Sequence, residues 1–199
     1  MTSDALIAAL IELEHHVASA GWDQPARLFA LVQTDALIAA EPELAAHLGL
    51  RSSADGHPEG ALSSIEQDDF RSVGAGEGPA VTESGLPEVL ARITWPDAVD
   101  GCALAVERSF LPAPFETDLP ADPVEAERAV ATHPQRQDLR LVVGVLRDGS
   151  AHGLARVLTQ PDELLSGPDL APGVVSALAA TLDHDQPGQR LHQDSRRTT

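Results

Sequence analysis

Near the start of the chain Leu6, Leu10, Leu13 and Val17 recur at helical spacing with Ile7 and Ile11 beside them, which predicts a helix over residues 3–20. Thr2 or Ser3 can cap its start, and Gly21 suits a left-handed stop. After the turn Trp22-Asp23-Gln24-Pro25, the short apolar run Arg27–Gln33 reads as a buried strand. Thr34–Leu48 carries Leu37, Ile38, Leu44 and Leu48 on a helical repeat that Pro42 interrupts or divides into two short pieces. Residues 51–60 have almost no apolar content and read as a mobile loop; Ala61–Phe70 reads as a strand from its β-branched and aromatic content.

Residues 71–85 hold four of the 15 Gly and read as loop. A short helix is predicted from Pro87 to Ile93, ended by Trp95-Pro96. Gly101–Phe110 has the length and apolar run of a strand. Beyond it Pro112, Pro114, Pro120 and Pro123 enforce an irregular crossover, and Asp122-x-x-Glu125 caps a short helix that stops before His133-Pro134. Leu139–Leu158 holds two β-type runs around Asp148-Gly149, the signature of a hairpin with a two-residue turn. That turn sets Leu146 opposite Ala151, Gly144 opposite Gly153 and Val142 opposite Ala155 on one face. The other face then pairs Val143 with Leu154, Val145 with His152 and Leu141 with Arg156. A last helix, about Pro172–Asp183, presents Val174, Leu178 and Leu182.

The alternation is not that of a doubly wound sheet, and the one firm strand connection is antiparallel. The expected fold is α+β: a single domain over residues 1–184 with about five strands in a mostly antiparallel sheet packed with helices, followed by a flexible tail, 185–199, that has too little apolar content to fold by itself. The hairpin carries more apolar residues than a strand exposed on one face. Helix one together with the last helix is expected to bury the Gly144 and Gly153 face. Leu141, Val143, Val145 and Leu154 then need a second cover: the helix from Thr34 to Leu48, a second subunit or a client segment.

Charge narrows the functional classes. Thirteen cationic side chains face 31 acidic ones, a formal net charge of -18. Clustered cations for phosphate contacts are absent outside the tail's Arg190, Arg196 and Arg197, so neither nucleic acid nor an anionic membrane is an expected partner. No apolar run approaches a membrane span and no basic leader precedes the first helix, which places the expected location in the cytoplasm. A single Cys fits a reducing compartment. Lys, Asn and Tyr are absent while Ala, Arg, Gly and Pro abound, as a GC-rich coding sequence produces.

Candidate chemistry is sparse. Gly74, Gly76 and Gly78 imitate a phosphate loop, yet the chain has no Lys and Pro79 follows at once, so a loop is the expectation. Cys102, between Gly101 and Ala103 on a strand, reads as an inert small hydrophobe. Glu12, His15 and His16 offer too few ligands for zinc and read as a solvated helix end. Arg147 and Asp148 read as turn residues, and no nucleophile elbow occurs. No catalytic residue, metal or cofactor is expected. Glu66, Glu107, Arg108, His152 and Arg156 all fall on strands; on a shared face they would make a polar cleft, and otherwise an exposed salt-bridged face.

Five blocks of the chain are distinctive as a set: WDQPARLFALVQT (22–34), LSSIEQDDF (62–70), ITWPDAVDGCALAVER (93–108), DLRLVVGVLRDG (138–149) and PDLAPGVVSALAATL (168–182). Together they resemble an uncharacterised family of small acidic actinobacterial proteins with no established activity. The resemblance implies a cytoplasmic, single-domain α+β protein and carries over no catalytic residue. The order of elements, size and acidity are also similar to those of type III secretion chaperones, which bind extended segments of partner proteins; this is likeness of architecture alone. The expected function is a non-catalytic protein-binding or chaperone-like module, acting on a protein partner or as a homodimer, with Trp95, Glu107, Arg108, Leu141, Val143, His152 and Arg156 as ligand- or partner-binding candidates. The alternative is an enzyme or small-ligand binder with a polar cleft near Trp95, Glu107 and His152.

Overall fold

In the computed structural model, residues 2–67, 70 and 85–183 are described. The expectations of loop over 71–84, with its three glycines, and of a flexible tail over 185–199 lie outside them. The described elements are α1 (Thr2–Ala18), β1 (Arg27–Gln33), α2 (Thr34–Ala40), α3 (Pro42–His47), β2 (Leu62–Glu66), α4 (Leu86–Leu90), β3 (Gly101–Phe110), α5 (Pro123–Thr132), β4 (Gln137–Leu146), β5 (Ala151–Val157), β6 (Leu165–Gly167) and α6 (Pro172–Leu182). All strand pairings are antiparallel, in the order β2-β1-β3-β4-β5-β6. The fold is therefore α+β, with six strands. The strand that the sequence reading missed is β6, three residues long and only partly buried, too short to leave a periodic signal.

Local chemistry accounts for most boundaries. Gly21 ends α1 with φ 84°, and Pro42 divides the second helical region as expected, sitting in the first turn of α3 where its missing N–H costs nothing. The Asp122 carboxylate accepts from the backbone N–H of Val124 and of Glu125, both at 3.0 Å, and so caps α5.

Two cores share the sheet. On one face α1 lays Leu6, Leu10, Leu13 and Val17 over Phe29, Leu31, Ala103, Ala105, Val142 and Leu154. On the other, Val174, Leu178 and Leu182 of α6 cover Cys102, Leu104, Leu141, Val143 and Val145, joined by Leu37 of α2 and Leu90 of α4. The expectation that α1 and the last helix form one layer is thus corrected: they lie on opposite faces, and α6, not the helical region from Thr34, is the main cover of Leu141 and Val143.

The hairpin register is corrected as well. Val145 faces Ala151, Val143 faces Gly153, Val142 faces Leu154, Leu141 faces Ala155 and Arg140 faces Arg156, one residue away from the expected pairing. The connection is the three-residue loop Arg147-Asp148-Gly149, closed by the Leu146 N–H donating to the Ser150 carbonyl at 2.9 Å, with Gly149 at φ 86°. Because side chains alternate faces, the slip separates Gly144, which lies under Leu6 and Leu10 of α1, from Gly153, which lies beside Leu170 on the other face. The loop leaves Arg147 outside the β4–β5 ladder, while its backbone N–H donates to the Asp100 carbonyl at 2.8 Å. Its guanidinium donates to the carbonyls of Val99 and Leu182 at 2.7 Å and of Trp95 and Pro96 at 3.2 Å. One cation thus ties the end of α6 to the segment before β3, at the helix terminus where positive charge is favoured.

Gly101 tests the β3–β4 register. A Cβ there would run into the Val145 carbonyl oxygen and the Leu146 side chain, whereas at Gly173 in α6 it would meet nothing within 4 Å. Gly101→Ala is expected to cost about 1–3 kcal/mol in urea denaturation. Gly173→Ala is expected to be neutral or to stabilise by up to about 1 kcal/mol. Equal midpoints for the two variants would reject the register.

Candidate functional site

Charged side chains gather on the α1 face at the end of the sheet beyond the apolar core. Register places Glu107, Arg140 and Arg156 side by side on β3, β4 and β5. Two guanidiniums directly opposite each other repel, so each requires its own carboxylate. Arg156 takes Glu14 of α1 in a bidentate pair, Nε to Oε1 at 2.7 Å and Nη2 to Oε2 at 2.9 Å. Arg140 donates to Glu107 Oε1 at 2.9 Å and to the Gly21 carbonyl. Arg140 is 2% exposed and Glu14 1%, so both charges are inside the fold and stand only because they are paired.

The turn after α1 closes over this row. Glu107 Oε2 accepts from the backbone N–H of Asp23 at 2.7 Å and of Gln24 at 3.2 Å. The Trp22 ring lies 4.4 Å from the Arg140 guanidinium carbon, covering its flat face. Arg140 Nε is buried without a hydrogen-bond partner, a donor that this arrangement sacrifices. Beside the row Arg27 makes a bidentate pair with Glu66, with Nε at 2.7 Å, and its Nη2 lies 3.0 Å from His16 Nε2. Hydrogen bonding from Arg156 holds the Glu14 carboxyl below its ordinary value against the opposing effect of burial. The pairing likewise raises Arg156 and Arg27. Every carboxylate in the row is occupied by donors, so the row offers no open general base; its work is to lock α1 and the following turn onto the sheet.

The sequence candidates separate accordingly. Glu66, Glu107, His152 and Arg156 share the α1 face. Arg108, next to Glu107 in the strand, must point to the other face, opposite Leu139. His152 sits four residues from Arg156 toward the hairpin turn, where its Nε2 lies 2.8 Å from Ser166 Oγ of β6. Leu141 and Val143 are 5% and 0% exposed beneath α6, so they are interior to the chain. Trp95 is also on the α6 side: its indole N–H donates to Thr181 Oγ1 at 2.9 Å. The polar cleft that would have united Trp95 with Glu107 and His152 therefore does not form, since the sheet lies between. Arg140, Glu14, Arg27 and Trp22 were not singled out by sequence. Correct hairpin register was the missing signal, because it alone puts Arg140 and Arg156 on the same face.

Trp95 instead borders a cleft of about 350 Å³ walled by Leu28, Phe70, Val89, Ile93 and Pro96, with Arg92 beside them. Cys102 is nearby but closed off: its Sγ lies 3.6 Å from Thr181 Oγ1 and 3.8 Å from the Leu178 carbonyl, and burial pushes its thiol up to about 11. At neutral pH it is a thiol, not a thiolate nucleophile. Among the described residues no group of three or more His, Cys, Asp or Glu could hold a metal ion, and no helix is long and apolar enough to cross a membrane.

At the far end of the sheet β6 pairs with β5 alone, and its other edge carries no strand among the described residues. Leu165 on β6 is 49% exposed and Leu170 38%. Both lie on the α6 side, Leu165 level with Ala155 and Leu170 against Gly153 and Gly167.

Removing one charge from the row is expected to show its weight. Arg140→Met leaves Glu107 Oε1 and the Gly21 carbonyl without the Arg140 donor and should cost about 3–5 kcal/mol. Arg136→Met, which breaks the exposed pair with Asp138, should cost less than about 1 kcal/mol. Equal losses in urea denaturation would refute the distinction. The lowered Glu14 carboxyl contributes stability that is present above the ordinary carboxylate value of 4.5 and is lost as pH falls through its depressed value. Arg156→Gln is therefore expected to destabilise the protein at neutral pH and to have less effect in acid, where the partner carboxyl is protonated. A stability difference from wild type that stays constant down to strongly acidic pH would contradict that linkage.

A family model described as PPA1309-like protein matches residues 6–183, from the first turns of α1 through α6, and the chain belongs to that family. No curated protein and no solved structure matched the chain.

Proposed function

For this member of the PPA1309-like protein family, we propose a non-catalytic protein-binding module, chaperone-like in kind, that takes up an extended basic segment of another protein along the open edge of β6. The observation that carries this reading is the edge itself. Both faces of the sheet are covered by the chain's own helices, so pairing surface is left only at the margins, and at β6 it is flanked by the exposed Leu165 and Leu170. A strand added there would gain main-chain hydrogen bonds, and its alternate side chains would rest on the two leucines. His152 supports the edge from behind through Ser166. With a net charge of -18, the protein attracts a cationic segment at long range, an effect that speeds encounter and weakens with salt. The locked charge row and the buried thiol favour binding over catalysis. The lone Cys favours a reducing cytoplasm, and the GC-rich composition an actinobacterial source.

Capture from native lysate followed by mass spectrometry tests the reading when wild type and Leu165→Lys are compared. The variant adds a charge at an exposed site and is expected to fold normally by circular dichroism. Its capture of the proteins retained by wild type should fall at least about tenfold, because the added cation repels a basic segment and removes apolar contact. A folded variant that retains the same partners equally would refute edge binding.

A further inference from the structure

The cleft beside Trp95 lies toward the opposite end of the sheet, against Leu28 of β1 and Gln67 after β2, and it is independent of the β6 edge. Its walls are aliphatic or aromatic, and about 350 Å³ is at the lower end of the range for small-molecule sites. The polar groups among its lining are few. Trp95 contributes hydrocarbon only, since its N–H is committed to Thr181. Gln67 donates one Nε2 hydrogen bond to the Ile65 carbonyl at 3.1 Å; with the Thr94 hydroxyl and the Arg92 guanidinium it supplies the polar groups of the described lining. Among the described residues, Arg92 is the charged residue of the lining. Its backbone N–H donates to Val89, and among the described residues its side chain pairs with no carboxylate. In a chain where acids outnumber cations 31 to 13, an Arg at the margin of an apolar cleft with no carboxylate partner among the described residues is a specific feature.

We propose that this cleft binds a small apolar carboxylic acid, its hydrocarbon laid against Leu28, Phe70, Val89, Ile93 and Trp95 and its carboxylate held by Arg92. The charge selects the head group: a neutral alcohol leaves the guanidinium without its partner, and an amine meets it with like charge. The acidic surface elsewhere repels anions at long range, so selectivity has to come from contact inside the cleft and not from steering.

Isothermal titration of the full chain with octanoate, octanol and octylamine at low ionic strength provides the test. Octanoate is expected to bind saturably, at least about tenfold more tightly than octanol, with octylamine weakest. Arg92→Gln, an exposed change, should bring octanoate down to the level of octanol while leaving the melting temperature unchanged. Methyl resonances of Val89 and Ile93 should shift on addition of octanoate to wild type. Absence of saturable octanoate binding, equal binding of the three probes, or unchanged octanoate affinity in folded Arg92→Gln would each overturn the proposal. So would loss of a captured protein partner in Val89→Glu when octanoate does not bind, an outcome that makes the cleft a protein-docking groove. Because Leu165→Lys leaves this cleft untouched, failure here and failure of β6 docking are separately readable.

Discussion

Ten residues of β3 pair with ten of β4, Gly101 opposite Leu146 through Phe110 opposite Gln137, and over the first six of these β3 is buried on both faces. An antiparallel pair that is apolar on both sides cannot leave either side to water. From this constraint the layering follows. α1 must cover one face, and α6 with α2 and α4 the other. The small residues of β3 set how closely the layers approach. Gly101 lets the β4 backbone pass, and Ala103 and Ala105 lie under the leucines of α1. Among the described residues, helices cover most of both faces of the sheet.

Where the apolar pairing runs out, electrostatics takes over. The same strands continue into Glu107 and Arg140, and β5 into Arg156, so the end of the sheet is a row of charges capped by the last turns of α1. Buried ion pairs of this kind rarely exceed apolar packing in net stabilisation. What they add is definition: bidentate geometry between Arg156 and Glu14 admits one rotation of α1, and Glu107 gathers two backbone N–H groups of the following turn while Arg140 holds its carbonyl. Arg147 plays the matching part on the other face, where four carbonyls from two segments converge on one guanidinium. Arginine suits both places because its fork of donors is planar and it keeps its charge when buried.

This division of labour bears on function. Residues that look reactive in a linear reading, among them Glu107, Arg156, His152 and Cys102, are consumed by structure: two in ion pairs, one in fastening β6, one under α6. Among the described residues, features left at the surface include the leucines at the β6 edge and the cleft beside Trp95 with Arg92.

Much of the fold was legible in the residues. The periodic leucines of α1, the apolar runs of β1 and β3, Pro42 between α2 and α3 and the Asp122 cap all act within a few positions of one another, so local pattern determined them. Which face each helix covers was not legible, since a helix carries no record of the side of the sheet it will meet. Nor was the hairpin register: Asp148-Gly149 is compatible with a loop of two or three residues, and the choice is settled by Arg147 reaching carbonyls some fifty positions earlier and thirty-five later. That one-residue choice decided whether Arg140 and Arg156 share a face, hence whether a charge row exists at all. Sequence by itself determined the elements and the net charge, through short-range sterics and composition. Only tertiary structure decided which charged and apolar residues meet, because side-chain alternation turns a single step of register into a change of face.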